Sequence, residues 1–449
     1  MELHIAECMK KVVKIIAHNT MFDWKLPFQK KHANTTIGSG FFIDNKGHII
    51  TCSHCVQDAT KVYIELPNEG NHKYDVIVKG ICPKFDIALL QIIGYKNKDY
   101  FDLDNSEVKI GSETHAVGYP LGQTNMKVTR GIISGQQYGY YQTDTAINPG
   151  NSGGPIIFKG KVIGIIAAGI PLSENIGFAV PISRFFLIKS LLFDKKNKLV
   201  LYPRYLGIED SHNITIEFRK YNKNNCELGG LYIQNVIENS SVSKSKIKQG
   251  DVICKINDIS VNYEGFMNKM WLNENMTIGN ILDTIGISKK VDIQYWTKNK
   301  LKSTTIKLRK DELKVREYYP VYEDIDYENI GGLIVMNINE NIINELKKDK
   351  LLKYTKVKHL NEEVVILSNI LKGSYVHKMN ILKDGDIITR VNGKKIKNVE
   401  EFRVGLKMDK KVLRIETDDN KLCIMNVNKL KQDDRLLSKL YGYRMSKVI

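Results

Sequence analysis

Ser152 stands in the stretch TAINPGNSGGP, residues 145–155, where three glycines and two prolines crowd around one serine. A serine hydroxyl is a weak nucleophile. It needs a base, a group that orients the base, and donors for the oxyanion that forms. Small residues on both sides let the backbone turn sharply and expose Ser152. They also let the N–H groups of Gly150 and Ser152 point into one pocket, framed by Asn151 between them; Pro149 has no N–H to offer. The base is His54, in IITCSHCV, where an apolar run ends and a turn begins. The orienting acid is Asp86, in KFDIALL, where the apolar residues that follow predict partial burial. There a carboxylate accepts the His54 Nδ1–H, fixes its tautomer and stabilises the imidazolium. Asp144 is a poorer candidate, only eight residues before the serine.

Such groups must be carried by rigid elements. Residues 34–190 read as a succession of short strands, among them GSGFFID, HIITCSH, DIALLQII, THAVGYP, GGPIIF and KVIGIIAAG. They are rich in β-branched and aromatic residues and are punctuated by Gly, Pro, Asn and Asp. Many short strands at this spacing predict a sandwich or a pair of barrels. PISRFFLIKSLLFDKK then closes the segment as a helix. The chain order His, Asp, Ser, with separations of 32 and 66 residues, is that of a chymotrypsin-like double barrel rather than an α/β-hydrolase or subtilisin.

The second half changes character. KIKQGDVICKIN, residues 246–257, is matched by ILKDGDIITRVN, residues 381–392, and a glycine pair leading into a strand lies upstream of each, in GGLYIQNV and GGLIVMNI. Two copies of a strand-rich module of about 100 residues are expected. The second copy carries an additional helical stretch, NENIINELKKDKLLKY.

The motifs GSGFFID, ITCSHCV (close to T-N-A-H-V-V), DIALL, GYPLG, GIIS, QTDTAINPGNSGGP and IGFAVP together resemble the Do-like (HtrA/Deg) serine proteases over residues 10–190. His54, Asp86 and Ser152 fall on that family's catalytic positions. The two C-terminal modules resemble its PDZ domains. WKLPFQKK, EEVVILSNILKGSY and VNGKKIKNVEEF look most like the plant-type arrangement with two PDZ domains. The resemblance implies a mainly β protein. A chymotrypsin-like double β-barrel protease domain at 1–195 is followed by two PDZ-like α+β domains, at 200–310 and, with its helical insertion, 325–435. A C-terminal tail occupies 436–449. It implies an ATP-independent endopeptidase acting on unfolded or damaged polypeptides, assembled as a homotrimer or a multiple of trimers. Phe22, Trp24 and Phe28 are candidate trimer contacts. The rival reading is a non-proteolytic chaperone or scaffold with a resting active site.

In such a barrel the residue six before the nucleophile lies at the base of the S1 pocket. Here it is Ala146, so a preference for Lys or Arg lacks its carboxylate. Ile147, with Ile166, Ala167 and Ala168, supplies an apolar wall and an edge for substrate backbone, favouring small or medium aliphatic residues. In the first module, Tyr205-Leu206-Gly207-Ile208 resembles the loop whose amides hold a peptide carboxylate. The second module looks less able to bind peptide.

The totals narrow the remaining classes. The chain has 449 residues, 42% of them apolar, and no stretch approaching a membrane span. The start, MELHIAECMKKVVKIIAHNT, is a poor signal peptide, so an intracellular protein of cytoplasm or nucleus is expected. Seven irregularly spaced cysteines argue against a disulfide framework. Cys52-x-x-Cys55 brackets His54 but has no second pair, so it reads as packing; no metal and no cofactor are expected. The net charge of +17 lies mostly in the C-terminal half as scattered lysines. No nucleic-acid-binding motif accompanies it, so nucleic acid is not an expected partner.

Overall fold

The computed structural model describes residues 5–446 apart from 68, 71, 107, 170–175, 204–205, 212–214, 222, 269–274, 311–312 and 408–410. Its residues fall into two compact units. The first comprises residues 1–19 and 34–312, the second residues 20–33 and 313–449.

The first unit begins with two closed six-stranded barrels. In one, β1 (Val12–Phe22), β2 (Lys30–Phe42), β3 (His48–Thr51), β4 (Ala59–Glu65), β5 (Lys73–Cys82) and β6 (Ile87–Ile92) close in the order β1-β2-β3-β6-β5-β4. In the other, β7 (Glu113–Gly118), β8 (Lys127–Gln137), β9 (Tyr140–Thr143), β10 (Pro155–Phe158), β11 (Lys161–Gly169) and β12 (Gly177–Pro181) close in the order β10-β11-β12-β9-β8-β7. Closure leaves no free edge, and inward side chains fill each lumen. Phe41, Ile50, Ile64 and Leu89 are fully buried, and Ile133, Tyr141, Ile156, Ile163 and Ile166 form the core of the second barrel. The helix Ile182–Leu192 follows, as its three- and four-residue apolar spacing predicts.

The first module belongs to the same unit. Its strands β13 (Ile208–Ser211), β14 (Leu231–Val236), β15 (Val252–Ile256), β16 (Lys290–Thr297) and β17 (Lys300–Lys307) lie in that order in one sheet. Burial alternates along β16, the mark of a strand with one face on a core. β17 is an edge strand lined with exposed lysines, which discourages pairing with another chain. The module is held to the barrels by polar contacts. Asp283 pairs with Lys84 at 3.5 Å and with Arg184 at 3.8 Å. Phe85 packs on Tyr202, with ring centroids 4.3 Å apart. One disulfide, Cys226–Cys254, ties the module internally, against the expectation from irregular cysteine spacing; the other five cysteines are free and buried.

The second unit holds a sheet of β18 (Tyr327–Ile330), β19 (Leu333–Asn337), β20 (Val365–Ile370), β21 (Ile387–Val391), β22 (Val412–Thr417) and β23 (Leu422–Asn426), in that order. Gly250 precedes β15 and Gly385 precedes β21, so β14 corresponds to β20. The glycine pair at 331–332 therefore has no counterpart in the pair at 229–230: it precedes β19, which corresponds to β13. The helix Glu340–Leu346, expected as an addition, takes the place of Ile216–Tyr221 in the first module and is extended by the turn Asp349–Thr355. The C-terminal helix Val427–Tyr441 runs through the expected boundary at 435, and Leu437 and Tyr443 are buried in the module. Residues 436–449 thus begin as part of the module rather than as a tail.

The aromatic residues near the start pack inside this second unit instead of awaiting a partner chain. Trp24 is buried with Val315, Met336, Ile342 and Leu351, and Phe22 packs against the same cluster. Leu26 and Phe28 pack on Ile334, Leu371 and Leu437, with Phe28 5.1 Å from the Tyr443 ring. Gln29 Nε2 donates to the Tyr441 carbonyl at 3.2 Å. A segment inserted between β1 and β2 thus completes the core of a module some three hundred residues later in the chain. Trp24→Ala is expected to destabilise the second unit by about 3 kcal/mol, the scale of an aromatic removed from a core. Denaturant unfolding followed by tyrosine-rich far-UV and fluorescence signals should show an earlier transition for this unit and an unchanged one for the barrels.

Candidate active site

His54 sits in the 3-10 turn Ser53–Cys55, directly after β3. Asp86 ends the 3-10 turn Pro83–Phe85 in the left-handed region, φ 53° and ψ 43°, and β6 begins at the next residue. Among non-glycine residues an aspartate tolerates that conformation comparatively well. β3 pairs with β6 so that Thr51 lies opposite Ala88, which brings the two turns side by side. Asp86 Oδ2 accepts the His54 Nδ1–H at 2.8 Å. Oδ1 accepts the His54 backbone N–H at 3.0 Å and the Ser53 hydroxyl at 3.1 Å. Burial alone would depress the His54 pKa. The hydrogen bonds of the ring to Asp86 and Cys55, with their charges, outweigh it and raise the pKa to about 10.

Ser152 comes from the loop between β9 and β10, in the second barrel. The loop is pinned from several sides. Leu121 N–H donates to Pro149 O at 2.6 Å, Ser39 Oγ–H to Gly150 O at 2.7 Å, Ser39 N–H to Ser152 O at 2.8 Å and Gly153 N–H to Ile166 O at 2.7 Å. Gly150 and Gly153 have φ of 98° and 87°, which a side chain would resist, and a Cβ on either would strike neighbouring backbone. The Ser152 turn meets the histidine turn directly: the Cys55 thiol lies 3.8 Å from the Ser152 carbonyl oxygen. The Ser152 hydroxyl donates to Ala167 O at 3.0 Å.

Of the three residues expected to frame an oxyanion, Gly150 and Ser152 have backbone N–H groups without a partner among the described residues. Asn151 differs. Its N–H donates to Asn148 O at 3.0 Å, so it closes the turn and is not available to a ligand. The expected specificity residues also separate. Ala146 is exposed and Ile147 half-buried beside it, whereas Ile166 is fully buried in the barrel core. Only the Ile166 carbonyl serves the site, by holding Gly153 N–H and the Cys52 thiol. Ala167 is 7% exposed and offers its carbonyl to Ser152. Ala168 has its backbone in β11, opposite Phe178, and its side chain lies outside the described residues.

Asp144 is remote in role. Its Oδ1 accepts the Ile132 N–H at 2.6 Å, which anchors β8. Cys52, His54 and Asp86 have potential ligand atoms within 4.8 Å of one another. Each is already engaged: Cys52 Sγ donates to Ile166 O at 3.1 Å, and the other two bond each other. Burial, followed by the Asp86 charge, holds the Cys52 thiol well above its ordinary pKa, so it stays protonated. The donor set does not fit a metal.

Two contributors escaped the sequence reading. Ser39, in GSGFF, bridges the site by donating to Gly150 O and accepting the Tyr119 N–H at 2.9 Å. Lys84, two residues before Asp86, reaches the first module through Asp283. Asp283 is scattered far along the chain and carries no motif.

The modules differ at their edges. In the first, Leu206 and Ile208 point into the core and Gly207 has φ 96°; Tyr205 lies outside the described residues. β13 pairs with β14 on one side, and its other edge has no partner among the described strands. In the second, the corresponding strand β19 is paired on both sides, by β18 and β20. Its glycine turn is also covered, with Gly331 N–H donating to Asp434 Oδ1 at 2.7 Å.

Comparison with known proteins agrees with this architecture. The family described as "Trypsin-like peptidase domain" matches residues 38–165, and the family "PDZ domain" matches residues 321–444. The periplasmic serine endoprotease DegP of Escherichia coli (strain K12) is 28% identical over 404 residues, covering 84% of this chain and 73% of that protein. Protease Do-like 2, chloroplastic, of Arabidopsis thaliana is 27% identical over 473 residues, covering 98% and 75%. Among solved structures, the HtrA-type protease AlgW with decapeptide shares the fold with a TM-score of 0.52 at 22% identity, over 68% of this chain and 97% of that one. With two barrels, a peptidase match, a PDZ match and relatives over most of its length that are named serine endoproteases, the chain is a serine endopeptidase similar to those of the HtrA/Deg type.

Proposed function

We propose that Ser152, His54 and Asp86 are the catalytic triad of an ATP-independent endopeptidase for unfolded or damaged proteins. The observation that carries the assignment is the 2.8 Å His54 Nδ1–Asp86 Oδ2 bond, in a turn packed on the Ser152 loop. In this reading the Ser152 hydroxyl rotates from Ala167 O toward His54 Nε2, which takes its proton as Oγ attacks the scissile carbonyl. The imidazolium forms beside the Asp86 carboxylate. The Gly150 and Ser152 amides receive the negative oxygen. His54 then returns the proton to the leaving amine, and water hydrolyses the acyl-enzyme by the same steps. Ala146 and Ile147 favour small or medium aliphatic P1 residues. The open edge of β13 suits the first module, as a second PDZ domain, to adding a peptide as an extra strand. The occupied edge of β19 leaves the second module for assembly or support. Homotrimers or multiples of trimers are the expected assembly. Five of the seven cysteines are free and buried, which supports a cytoplasmic or nuclear setting, whereas the Cys226–Cys254 disulfide points the other way.

Incubation with unfolded casein should give cleavage that Ser152→Ala abolishes; no cleavage by the parent under any condition would return the chain to a chaperone or scaffold role. A peptide-library profile should place Val, Ala or Ile at P1 and exclude Lys and Arg. Because the base must be neutral, a His54 pKa raised to about 10 delays activity on the alkaline side. kcat/KM is therefore expected to keep rising above about pH 7, and a plateau reached by then would contradict the electrostatics. Gly150→Ala, which forces a side chain into a left-handed position against Tyr119 O, should lower kcat on the order of a hundredfold. KM and thermal unfolding should change far less.

A further inference from the structure

Asp86 is held more firmly than a hydrogen bond to one imidazole requires. Its Oδ2 serves the ring, while Oδ1 receives two donors, His54 N–H at 3.0 Å and Ser53 Oγ–H at 3.1 Å. Ser53 is 1% exposed, so its hydroxyl has no ready exchange with bulk water. The turn does not need that hydroxyl for its own shape. Ser53 O accepts the Val56 N–H at 2.9 Å and the Gln57 N–H at 2.7 Å, both backbone contacts that any small residue would make. The side chain is thus free to serve the acid. A carboxylate gripped at one oxygen by two donors cannot swing about its Cβ–Cγ bond, and the other oxygen stays aligned with the ring.

We propose that Ser53 is a positioning residue of the triad: its hydroxyl clamps Asp86 Oδ1 and so keeps Oδ2 in line with the His54 Nδ1–H. The proposal rests on the triad reading above, which Ser152→Ala tests separately. It assigns a chemical part to a position where the family motif quoted for this stretch has alanine. Other groups face the pair. The Cys52 thiol and the Cys55 thiol lie on the same turn, Tyr140 faces from β9, and Lys84 precedes Asp86 and is engaged by Asp283. The Ser53 hydroxyl donates to Asp86 Oδ1 at 3.1 Å, and the Cys52 thiol on the same turn also interacts with the Asp86 carboxylate.

Ser53→Ala removes the hydroxyl without adding volume, so the fold should tolerate it. kcat is expected to fall about fivefold with KM unchanged, the scale of one buried hydrogen bond. With less compensation of the Asp86 charge, His54 should hold its proton more tightly, so the acidic limb of kcat/KM should move to higher pH. The far-downfield proton resonance of the His54 Nδ1–H should shift in the same variant. In an Asp86→Ala background Ser53→Ala should have no further effect, because the acceptor is gone. Labelling of Ser152 by an organophosphonate, with thermal unfolding, controls for the fraction of folded enzyme. An unchanged limb and resonance, or a loss of kcat that persists undiminished in the Asp86→Ala background, would overturn the proposal and leave Ser53 as a packing residue.

Discussion

The site depends on one half-buried carboxylate held between two turns. Asp86 accepts the His54 ring, the His54 backbone and the Ser53 hydroxyl at once. None of these contacts is local in sequence. They exist because β3 and β6 pair with Thr51 opposite Ala88, so that the turn leaving one strand meets the turn entering the other. A shift of one residue would reverse the facing of every side chain on β6 and carry Asp86 away from the histidine. The register is protected by burial: all four residues of β3 and Ile87 to Leu90 of β6 are inside. Hydrophobic packing therefore fixes the register, and the register fixes the ion pair.

Ser152 is supplied by the other barrel, and its loop is stabilised by backbone hydrogen bonds rather than by side-chain bulk. Ser39, Leu121 and Ile166 each satisfy a different polar group of the loop. The glycines at 150 and 153 allow close approach to those partners, where any Cβ would intrude. What remains unpaired, the amides of Gly150 and Ser152, is what an oxyanion would require. The first module touches this machinery through Lys84 and Asp283, whose carboxyl burial lifts in pKa although Lys84 and Arg184 both pull it down.

The two modules show how one strand pattern yields different surfaces. Among the described residues β13 keeps a free edge, whereas its counterpart β19 is covered by β18, which has no counterpart among the described strands of the first module. The second module is also completed by Phe22, Trp24, Leu26 and Phe28, drawn from an insertion in the first barrel. A long hairpin excursion of that kind carries a loop-closure penalty in conformational entropy, and the burial of Trp24 is what offsets it.

The proposed triad could be picked out of the sequence because the chemistry proposed for it needs particular residue types in particular local settings. GNSGGP encodes a turn, TCSHC a strand end and FDIALL a buried strand start, and each of these is a short-range property of the chain. The spacing of apolar runs and turn residues left a sandwich or a pair of barrels open, and the His-Asp-Ser order with the family resemblance pointed to the double barrel. Tertiary structure decided the rest. Whether Ile166 faces a substrate or a core depends on the pleat and closure of β11, and it faces the core. Whether Asn151 offers its amide outward depends on a turn bond to Asn148. The equivalence of the two glycine pairs, plausible in one dimension, fails once strand order is known. Ser53 and Ser39 look like ordinary small residues until folding brings an acid and a carbonyl within reach. Residue type and local spacing thus determined which groups could react. Long-range packing determined which of their donors and acceptors are already bonded to the protein and which are left for chemistry.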